Sequence, residues 1–402
     1  MPRPEHGTAN GRHVLKVAPT PFFADRGCHV RILEEARALI KRGYRITVCT
    51  YHLGDDVPEV QIRRTMRVPW YKKLAAGPSL HKFYLDPMLA WTTLRACRRD
   101  RPDIIHAHLH EGVLIGWIAS LLFRIPLVAD LQGSLTGELV QHGFFRRGRL
   151  PYRIFRVVER AILRMPSAFL LSSRHAIEDF DLEPEDLRVP ARIVNDGVDA
   201  ETFYPANPGE DLRRKLSLPE DRKIVGYLGL LNEYQGLSTL LRAAQRVLDE
   251  MRDVHFLVMG YPNVEEYRRM AVELDIADRI SMPGRIPYGL ARDYLAACDV
   301  GVSAKQAITE ANGKLLNYMA VGIPVVATDT EMNRELLGDL GVYADVDDPV
   351  GLAESLMRVL KDDDLARDLG RRLRKRAMED VSWQAGSERI VEVYRMVGRG
   401  AR

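Results

Sequence analysis

The sequence predicts an α/β protein built from two doubly wound, Rossmann-like domains with parallel sheets. Three observations lead to this fold class. The chain has 402 residues, which is more than one hydrophobic core usually organises. Short apolar strands alternate with amphipathic helices in both halves, as in parallel βαβ units. Between residues 180 and 208 the alternation lapses in a segment rich in prolines and acidic residues, which predicts the connection between two domains.

The first half begins with a strand, a helix and a second strand. VLKVAPT (14–20) is a short apolar strand, and the helix at about 27–43 has apolar residues at helical spacing before Gly43 ends it. The same alternation continues with strands at 45–52, 103–109, 126–131 and 168–173 and helices at about 112–124 and 151–165. We therefore expect a first domain over residues 12–190.

The alternation starts again in the second half. Strands are predicted at 223–231, 255–260, 279–286, 299–304 and 324–329, and helices at about 236–250, 264–275, 289–297 and 314–321. They predict a second domain over residues 205–380. Ligands of doubly wound sheets bind outside the carboxyl ends of the strands, so we expect a site in a cleft between the domains.

Composition and charge exclude several classes of protein. The longest uncharged apolar run, Gly112 to Phe123, is shorter than the ~20 residues that span a bilayer, and no secretory signal is visible. The four cysteines form no CxxC pair, which favours reduced thiols in a cytoplasmic protein. Residues 1–190 contain 29 Lys and Arg against 20 Asp and Glu, whereas residues 191–402 contain 29 against 35. The first half is therefore expected to face something anionic, either membrane lipid or nucleic acid.

The segment SAKQAITEANGKLLNYMAVGIPVVATD (303–329) is the most informative about chemistry. A strand ends at Ser303, a polar loop follows, and a helix begins near Lys314. The free N–H groups at the start of a helix form an anion site, and Lys314 would add a positive charge there. An ordinary βαβ turn has the same local pattern, so the segment alone leaves both interpretations open.

This segment, with its MAVGIPVVAT run, resembles the donor-binding signature of family-4 glycosyltransferases of the GT-B fold. Other parts of the chain resemble the same family in the same order: residues 24–50, 102–108, 195–205, 227–244 and 293–303. The segment 381–397 resembles the C-terminal helix that in this fold crosses back onto the first domain, so we expect residues 383–402 to pack there. The resemblance covers nearly the whole chain.

The resemblance implies a hexosyltransferase that uses a nucleoside-diphosphate sugar, retains the anomeric configuration, and needs no metal or other cofactor. The acceptor would be lipid-linked, a glycan or another small molecule. His108 would touch the transferred sugar, and Arg26 and Gln132 would lie on the acceptor or sugar side. The residues that the resemblance implicates in donor binding are Gly27, Gly229, Gln235, Arg285, Ile286, Asn312, Gly313, Lys314, Leu315 and Asn317.

The chain departs from the family pattern at the donor contacts. Leu230 and Gln235 stand where the family usually has an arginine and a lysine that clamp the diphosphate. Each lost charge-assisted hydrogen bond is worth roughly 1.5–3 kcal/mol, and we hypothesise that Lys305 and Lys314 replace the clamp. Asn317 stands at the second of the family's paired glutamates. Glu310 is interpreted as the acidic residue near the sugar, the alternative being a solvated loop residue.

His106, His108 and His110 alternate, so in a strand they would share one face and could bind zinc. The GT-B resemblance implies no metal. We therefore expect His108 at the cleft, His106 in the core and His110 beyond the end of the strand.

Basic side chains concentrate around the predicted helix 151–165. They are Arg146, Arg147, Arg153, Arg156 and Arg160, with two phenylalanines upstream. A basic amphipathic surface suits anionic phospholipid, which makes peripheral association with the inner face of a membrane an expectation. The alternative is a solvated basic face on a core-packed helix. No nucleic-acid motif accompanies the charge, so nucleic acid is disfavoured.

Two other functions stay open. The replaced donor contacts fit a non-catalytic relative that binds a sugar or a partner, and a GT-B nucleotide-sugar epimerase would have the same fold. The retained loop and helix favour the transferase, acting in glycolipid or envelope polysaccharide biosynthesis.

Overall fold

The computed structural model describes residues 11–23, 27–72, 81–141, 148–172, 180, 189–205, 210–306 and 312–399. The chain forms two compact units. The first comprises Met1–Asp196 and Trp383–Arg402, and the second comprises Gly197–Ser382. The first unit thus continues past residue 190, where we expected its end, because a strand at Ala191–Ile193 pairs with the edge of its sheet.

In the described part of the first unit, seven strands form one sheet. These are β1 (His13–Ala18), β2 (Arg45–Thr50), β3 (Gln61–Arg64), β4 (Ile104–His108), β5 (Leu127–Leu131), β6 (Ala168–Leu171) and β7 (Ala191–Ile193). Its helices before the domain connection are α1 (Gly27–Lys41), α2 (Lys82–Asp100), α3 (Leu109–Phe123), α4 (Leu135–Gln141) and α5 (Leu150–Ile162).

All neighbouring strands of the first sheet are parallel, in the order β3-β2-β1-β4-β5-β6-β7. The central strands are buried along their whole length because helices cover both faces of the sheet, which explains their nearly continuous apolar sequences. Helices α2 and α3 pack on one face and α1 on the other. The strand order reverses between β1 and β4, which is the switch point where ligands of such sheets bind.

The second unit has six parallel strands among its described residues. They are β8 (Lys223–Leu230), β9 (Val254–Tyr261), β10 (Ile280–Gly284), β11 (Val300–Ser303), β12 (Val325–Thr328) and β13 (Val342–Ala344). Its helices are α6 (Glu210–Lys215), α7 (Leu237–Glu250), α8 (Val264–Glu273), α9 (Tyr288–Ala296), α10 (Gly313–Val321), α11 (Glu331–Leu337), α12 (Pro349–Lys361) and α13 (Asp363–Glu379). The strand order is β10-β9-β8-β11-β12-β13, so the switch point lies between β8 and β11.

The last helix, α14 (Trp383–Arg399), belongs to the first unit. It contacts α1, β6 and β7, and its Tyr394 is fully buried in the core on that side of the sheet. The four cysteines all lie within the described residues and are free. In the part of the chain that the structure describes, no helix is long and apolar enough to cross a membrane.

Candidate active site

Two loops meet at the switch point of the second sheet. After β8, a short 3₁₀ turn (Glu233–Gln235) leads to Gly236, whose φ is +73°. A Cβ atom at Gly236 would lie 1.9 Å from the carbonyl oxygen of Ala304, so a glycine is needed both for the backbone conformation and for the close approach. The contact brings the loop of Gln235 against the segment that carries Lys305.

The side chain of Lys314 lies between these loops. Lys314 belongs to the first turn of α10, and its Nζ is 2.5 Å from Gln235 Oε1 and 4.6 Å from the centroid of the Tyr227 ring. Gly229 leaves room for it, because a Cβ atom at that position would lie 3.0 Å from Lys314 Cε. Lys305, whose charge acts on Lys314, is buried next to the same loop.

The electrostatics of this cluster favour an anionic ligand. Burial, and then repulsion from Lys305, lowers the pKa of Lys314 to about 7. Among the described residues, no carboxylate contributes to the pKa of Lys314 to offset this. A partly desolvated ammonium group without a counter-charge is stabilised by an arriving anion. A ligand with several negative charges, such as a diphosphate, would interact with both lysines.

The start of α10 offers backbone donors to the same anion. Asn312 occupies the N-cap position of the helix, and its side-chain amide donates to Ser303 Oγ at 3.0 Å and to Asn333 Oδ1 at 2.9 Å. The Leu315 N–H donates to the Asn312 carbonyl at 3.0 Å, and the Leu315 side chain is in the core. Leu315 is therefore a poor phosphate contact. The amides of Gly313 and Lys314 belong to the first helical turn, where N–H groups lack intrahelical partners.

Three further predicted donor residues belong to the second unit. Arg285 is exposed, with its guanidinium 5.3 Å from the centroid of the Tyr261 ring. Ile286 follows β10 and is half-buried, and Asn317 is half-buried in the second turn of α10. Glu310, the predicted acid near the sugar, lies outside the described residues.

In the first unit, β4 ends at His108, whose side chain is fully buried. Its Nδ1 lies 3.0 Å from Asp130 Oδ2 on the neighbouring strand β5. Burial disfavours the Asp130 anion, but Arg31, which binds both carboxylate oxygens at 2.9 and 3.0 Å, holds the pKa of Asp130 well below its usual range. Burial, followed by the charge of Lys16, lowers the pKa of His108 to about 4. The imidazole is therefore neutral at pH 7, and its Nε2 is the ring atom left for a ligand.

Four buried side chains bring potential metal ligands within 4.8 Å of one another, namely Glu35, His106, His108 and Asp130. Two buried cations already neutralise the carboxylates: Lys16 Nζ lies 2.6 Å from Glu35 Oε2, and Arg31 binds Asp130. A divalent ion would face these two fixed positive charges, so the donor set does not fit a metal site. We interpret the cluster as the support that orients His108.

The three alternating histidines occupy different places. The rings of His106 and His108 stack with centroids 4.5 Å apart, and His106 Nδ1 lies 2.7 Å from the hydroxyl of Tyr394 in the core. His110 is the second residue of α3, beyond the strand, where its Nε2 lies 3.5 Å from Glu159. A zinc site made of three strand histidines is therefore not formed.

The expectation for Arg156 as a membrane-surface residue is wrong. Arg156 is buried, and its guanidinium donates to Glu159 Oε2 at 3.0 Å and to the Phe180 carbonyl at 2.8 Å. The polar side of α5 thus faces the protein interior, because the donors that hydrogen-bond to Glu159 lie there. Of the other predicted surface arginines, Arg153 and Arg160 are exposed. Arg146 and Arg147 lie outside the described residues.

Two of the remaining predicted residues lie at the carboxyl edge of the first sheet. Gly27 begins α1 after the β1 loop. Gln132 follows β5 and acts on the pKa of Cys28, in the first turn of that helix. Arg26 lies outside the described residues.

Sequence reasoning missed the charges that hold His108. These are Lys16, Arg31, Glu35 and Asp130, all buried. A signal was present, since Lys16 interrupts the apolar strand HVLKVA and Asp130 interrupts LVADL. A charge inside a buried strand needs a partner of opposite charge.

Comparison with known proteins gives matches over both units. A family model described as "Glycosyl transferases group 1" matches residues 209–376, and one described as "Glycosyl transferase 4-like domain" matches residues 26–191. The chain is also similar to D-inositol 3-phosphate glycosyltransferase of Corynebacterium glutamicum (strain R). The two are 27% identical over 394 residues, which cover 92% of this chain and 91% of that protein.

Solved structures share the fold. Sucrose-phosphate synthase from Thermosynechococcus elongatus matches with a TM-score of 0.76 and 20% identity, over 97% of this chain and 100% of that chain. Anabaena Alr3699/HepE in complex with UDP and glucose matches with a TM-score of 0.71 and 17% identity, over 96% and 100% of the two chains. The predicted fold class of two doubly wound domains is confirmed.

Proposed function

The chain belongs to the GT-B glycosyltransferases of family-4 type, and from this membership we propose which hexosyl transfer it carries out. The donor is a nucleoside-diphosphate sugar, the hexose is transferred with retention and without a metal ion, and the acceptor is a phosphorylated polyol or glycan. The observation that carries the proposal is a pair of lysines at the switch point of the second sheet, the buried Lys305 and the half-buried Lys314.

The lysine pair replaces the familiar diphosphate clamp. Family members usually have a lysine at the position of Gln235, whereas here the ammonium group comes from Lys314 and lies 2.5 Å from the Gln235 side chain. The positive charge is thus kept while the residue that supplies it has changed. A diphosphate bound there would raise the pKa of Lys314 towards its ordinary value and accept hydrogen bonds from the Gly313 and Lys314 amides.

The transferred sugar is proposed to contact His108. With Nδ1 directed at Asp130, the neutral imidazole has Nε2 available to accept a hydrogen bond from a sugar hydroxyl. The charges around Asp130 hold the ring in one orientation. Developing negative charge on the leaving diphosphate would be stabilised by Lys305, Lys314 and the start of α10.

A phosphorylated acceptor is proposed from two observations. The curated relative is named for D-inositol 3-phosphate. In this chain, the N-terminal ends of α2 and α3 bring polar groups to the carboxyl edge of the first sheet: Lys82 Nζ is 2.5 Å from Glu111, and the Tyr51 hydroxyl is 2.5 Å from Asp86. Such groups suit a polyhydroxylated ligand, and two helix N-termini favour a negative charge on it. A lipid-linked acceptor in glycolipid or envelope polysaccharide assembly belongs to the same proposal.

The test is product analysis by mass spectrometry with UDP-, GDP- and ADP-hexoses, inositol phosphates and a chelator. The proposal is supported if one of the donors yields a hexosylated acceptor and the same product forms in the presence of the chelator. Donor binding without transfer or hydrolysis would establish the non-catalytic alternative, and a changed hexose without acceptor would establish an epimerase. Lys314→Met should abolish most of the product, whereas the exposed Lys375→Met in α13 should not.

A further inference from the structure

Helix α5 is oriented with its charged side inward. Arg156 and Glu159 are buried, whereas Ile154 and Val157 are 53% and 68% exposed. Helices on soluble domains normally bury the apolar stripe and expose the polar one. Here the orientation is fixed by Glu159, which accepts hydrogen bonds from Arg156 and from Ser134 after β5. The protein therefore holds an apolar helix face towards solvent by specific internal bonds.

The neighbouring helices extend this apolar surface. Helix α3 contacts both α2 and α5 on the same side of the first sheet. In α2, Phe83 and Trp91 are 91% and 67% exposed. We call the exposed apolar side chains of these helices the three-helix face, and they are Phe83, Trp91, Leu114, Ile118, Leu121, Leu122, Leu150, Ile154, Phe155, Val157 and Val158. This number of exposed apolar side chains on three helices that contact one another indicates an interaction surface.

Within α2, α3 and α5, the exposed charged side chains are all arginines. They include Arg95, Arg153 and Arg160, and Arg124 directly after α3 is exposed as well. Within α2, α3 and α5, which the structure describes throughout, every acidic side chain is buried or half-buried and has a hydrogen-bond or ion-pair partner: Asp86, Asp100, Glu111 and Glu159. The surface is therefore complementary to a negatively charged partner.

We propose that the three-helix face docks the protein on a lipid bilayer that contains anionic phospholipid. The aliphatic side chains and Trp91 would enter the boundary between headgroups and acyl chains, and the arginines would contact lipid phosphates. A second copy of the chain fits less well, because a two-fold contact through this face would oppose arginines with arginines. The inference rests on the proposed function in one respect: a lipid-linked acceptor would be presented at this same surface.

The first measurement is co-sedimentation of the full chain with vesicles of phosphatidylcholine alone or with about one-third phosphatidylglycerol. We expect binding to the anionic vesicles and little to the neutral ones. Binding should weaken between about 0.1 M and about 1 M salt, where the Debye length falls from about 10 Å to about 3 Å.

Substitutions separate the charged and apolar contributions. Arg153→Glu/Arg160→Glu should weaken binding to anionic vesicles by more than about tenfold, whereas the exposed pair Arg242→Glu/Arg246→Glu in α7 should not. Val157→Ser should weaken it by roughly three- to tenfold. Its matched control is Val272→Ser in α8, because Val272 is 66% exposed. These variants change exposed residues, so the fold should be unchanged. Circular dichroism of each variant checks this.

Equal recovery with neutral vesicles, or binding that neither substitution weakens, would overturn the proposal. So would concentration-dependent dimerisation that Val157→Ser abolishes, since the face would then be a self-association surface. Nucleotide-sugar binding is measured by thermal shift on the same samples, so that failure of the docking proposal can be distinguished from failure of the proposed function. Vesicle binding without nucleotide binding refutes the proposed function alone, and the reverse result refutes the docking surface alone.

Discussion

Replacement of Lys314 by methionine tests the donor site in a way that separates binding from folding. Methionine keeps the length of the side chain and removes its charge. In the unliganded protein, burial and Lys305 lower the pKa of Lys314 to about 7, so the ammonium group is not a source of folding stability. We therefore expect Lys314→Met to fold with an unfolding free energy equal to or above that of the wild type.

The expected loss is in donor affinity. A charge-assisted hydrogen bond to a phosphate is worth roughly 1.5–3 kcal/mol, which corresponds to about 10- to 150-fold in Kd. The loss should be similar for the nucleoside diphosphate and for its sugar, because the interaction is with the diphosphate. Isothermal titration calorimetry measures both constants, with Lys375→Met as the exposed lysine control.

The lowered pKa also predicts a pH dependence. A nucleotide sugar has no group that titrates between pH 7 and pH 9, so proton uptake on binding reports the protein. Binding should raise the pKa of Lys314, and donor affinity should fall as pH rises above 7, by up to about tenfold per pH unit. For folding the sign is opposite. The unfolded chain binds more protons than the folded one above pH 7, so stability should rise with pH from about 7 towards 10.

Calorimetry in buffers of different ionisation enthalpy counts the protons taken up. Uptake by the wild type and its loss in Lys314→Met is the predicted result. A variant with unchanged donor affinity, or a wild type that takes up no proton at pH 8, would refute the reasoning.

Three further predictions concern other residues. Asp130→Asn removes the carboxylate that binds the buried Arg31 through two hydrogen bonds and leaves it Glu35 and Asp196. It should lower the unfolding free energy by up to about 3–5 kcal/mol; denaturant unfolding measures it, and a stability within error of the wild type would contradict the assigned network. His108→Gln should lower kcat by roughly 10- to 100-fold with nucleotide binding retained, and unaltered turnover would remove His108 from the site. Gly236→Ala places a Cβ against the Ala304 carbonyl, so it should weaken donor binding and cost at least about 1–3 kcal/mol. The control Gly289→Ala, whose Cβ meets nothing within 4 Å, should do neither.

The sheet-and-helix organisation was predictable because buried parallel strands are nearly continuous apolar runs. Elements without that signal were missed. The edge strand β3 has the sequence QIRR and is only half-buried, and α2 contains Pro87 and a run of charged residues at its end. Tertiary packing, rather than local pattern, holds both in place.

The donor site was predictable in part. Lys305 and Lys314 follow the strand and loop that the family resemblance identifies, so their proximity to one another needs only local structure. The contact of Lys314 with Gln235, 79 residues away, depends on the order of strands at the switch point, which the sequence does not show.

The error at Arg156 has a specific physical cause. Arginines on an amphipathic helix are normally exposed, and sequence spacing alone placed Arg156 with Arg153 and Arg160. The structure buries it because Glu159, three residues on, is held inside by Ser134. Only the position of Ser134 relative to the helix distinguishes a buried Arg156 from an exposed one.

The central claim is that the second unit binds the diphosphate of a nucleotide sugar through Lys305, Lys314 and the start of α10. Thermal unfolding with a panel of nucleoside diphosphates and their sugars, without added metal, tests it most directly. A ligand at 100 times its Kd adds about 2.7 kcal/mol of stability, so we predict a clear rise in Tm with one base, which Lys314→Met removes. No shift with any member of the panel would contradict it.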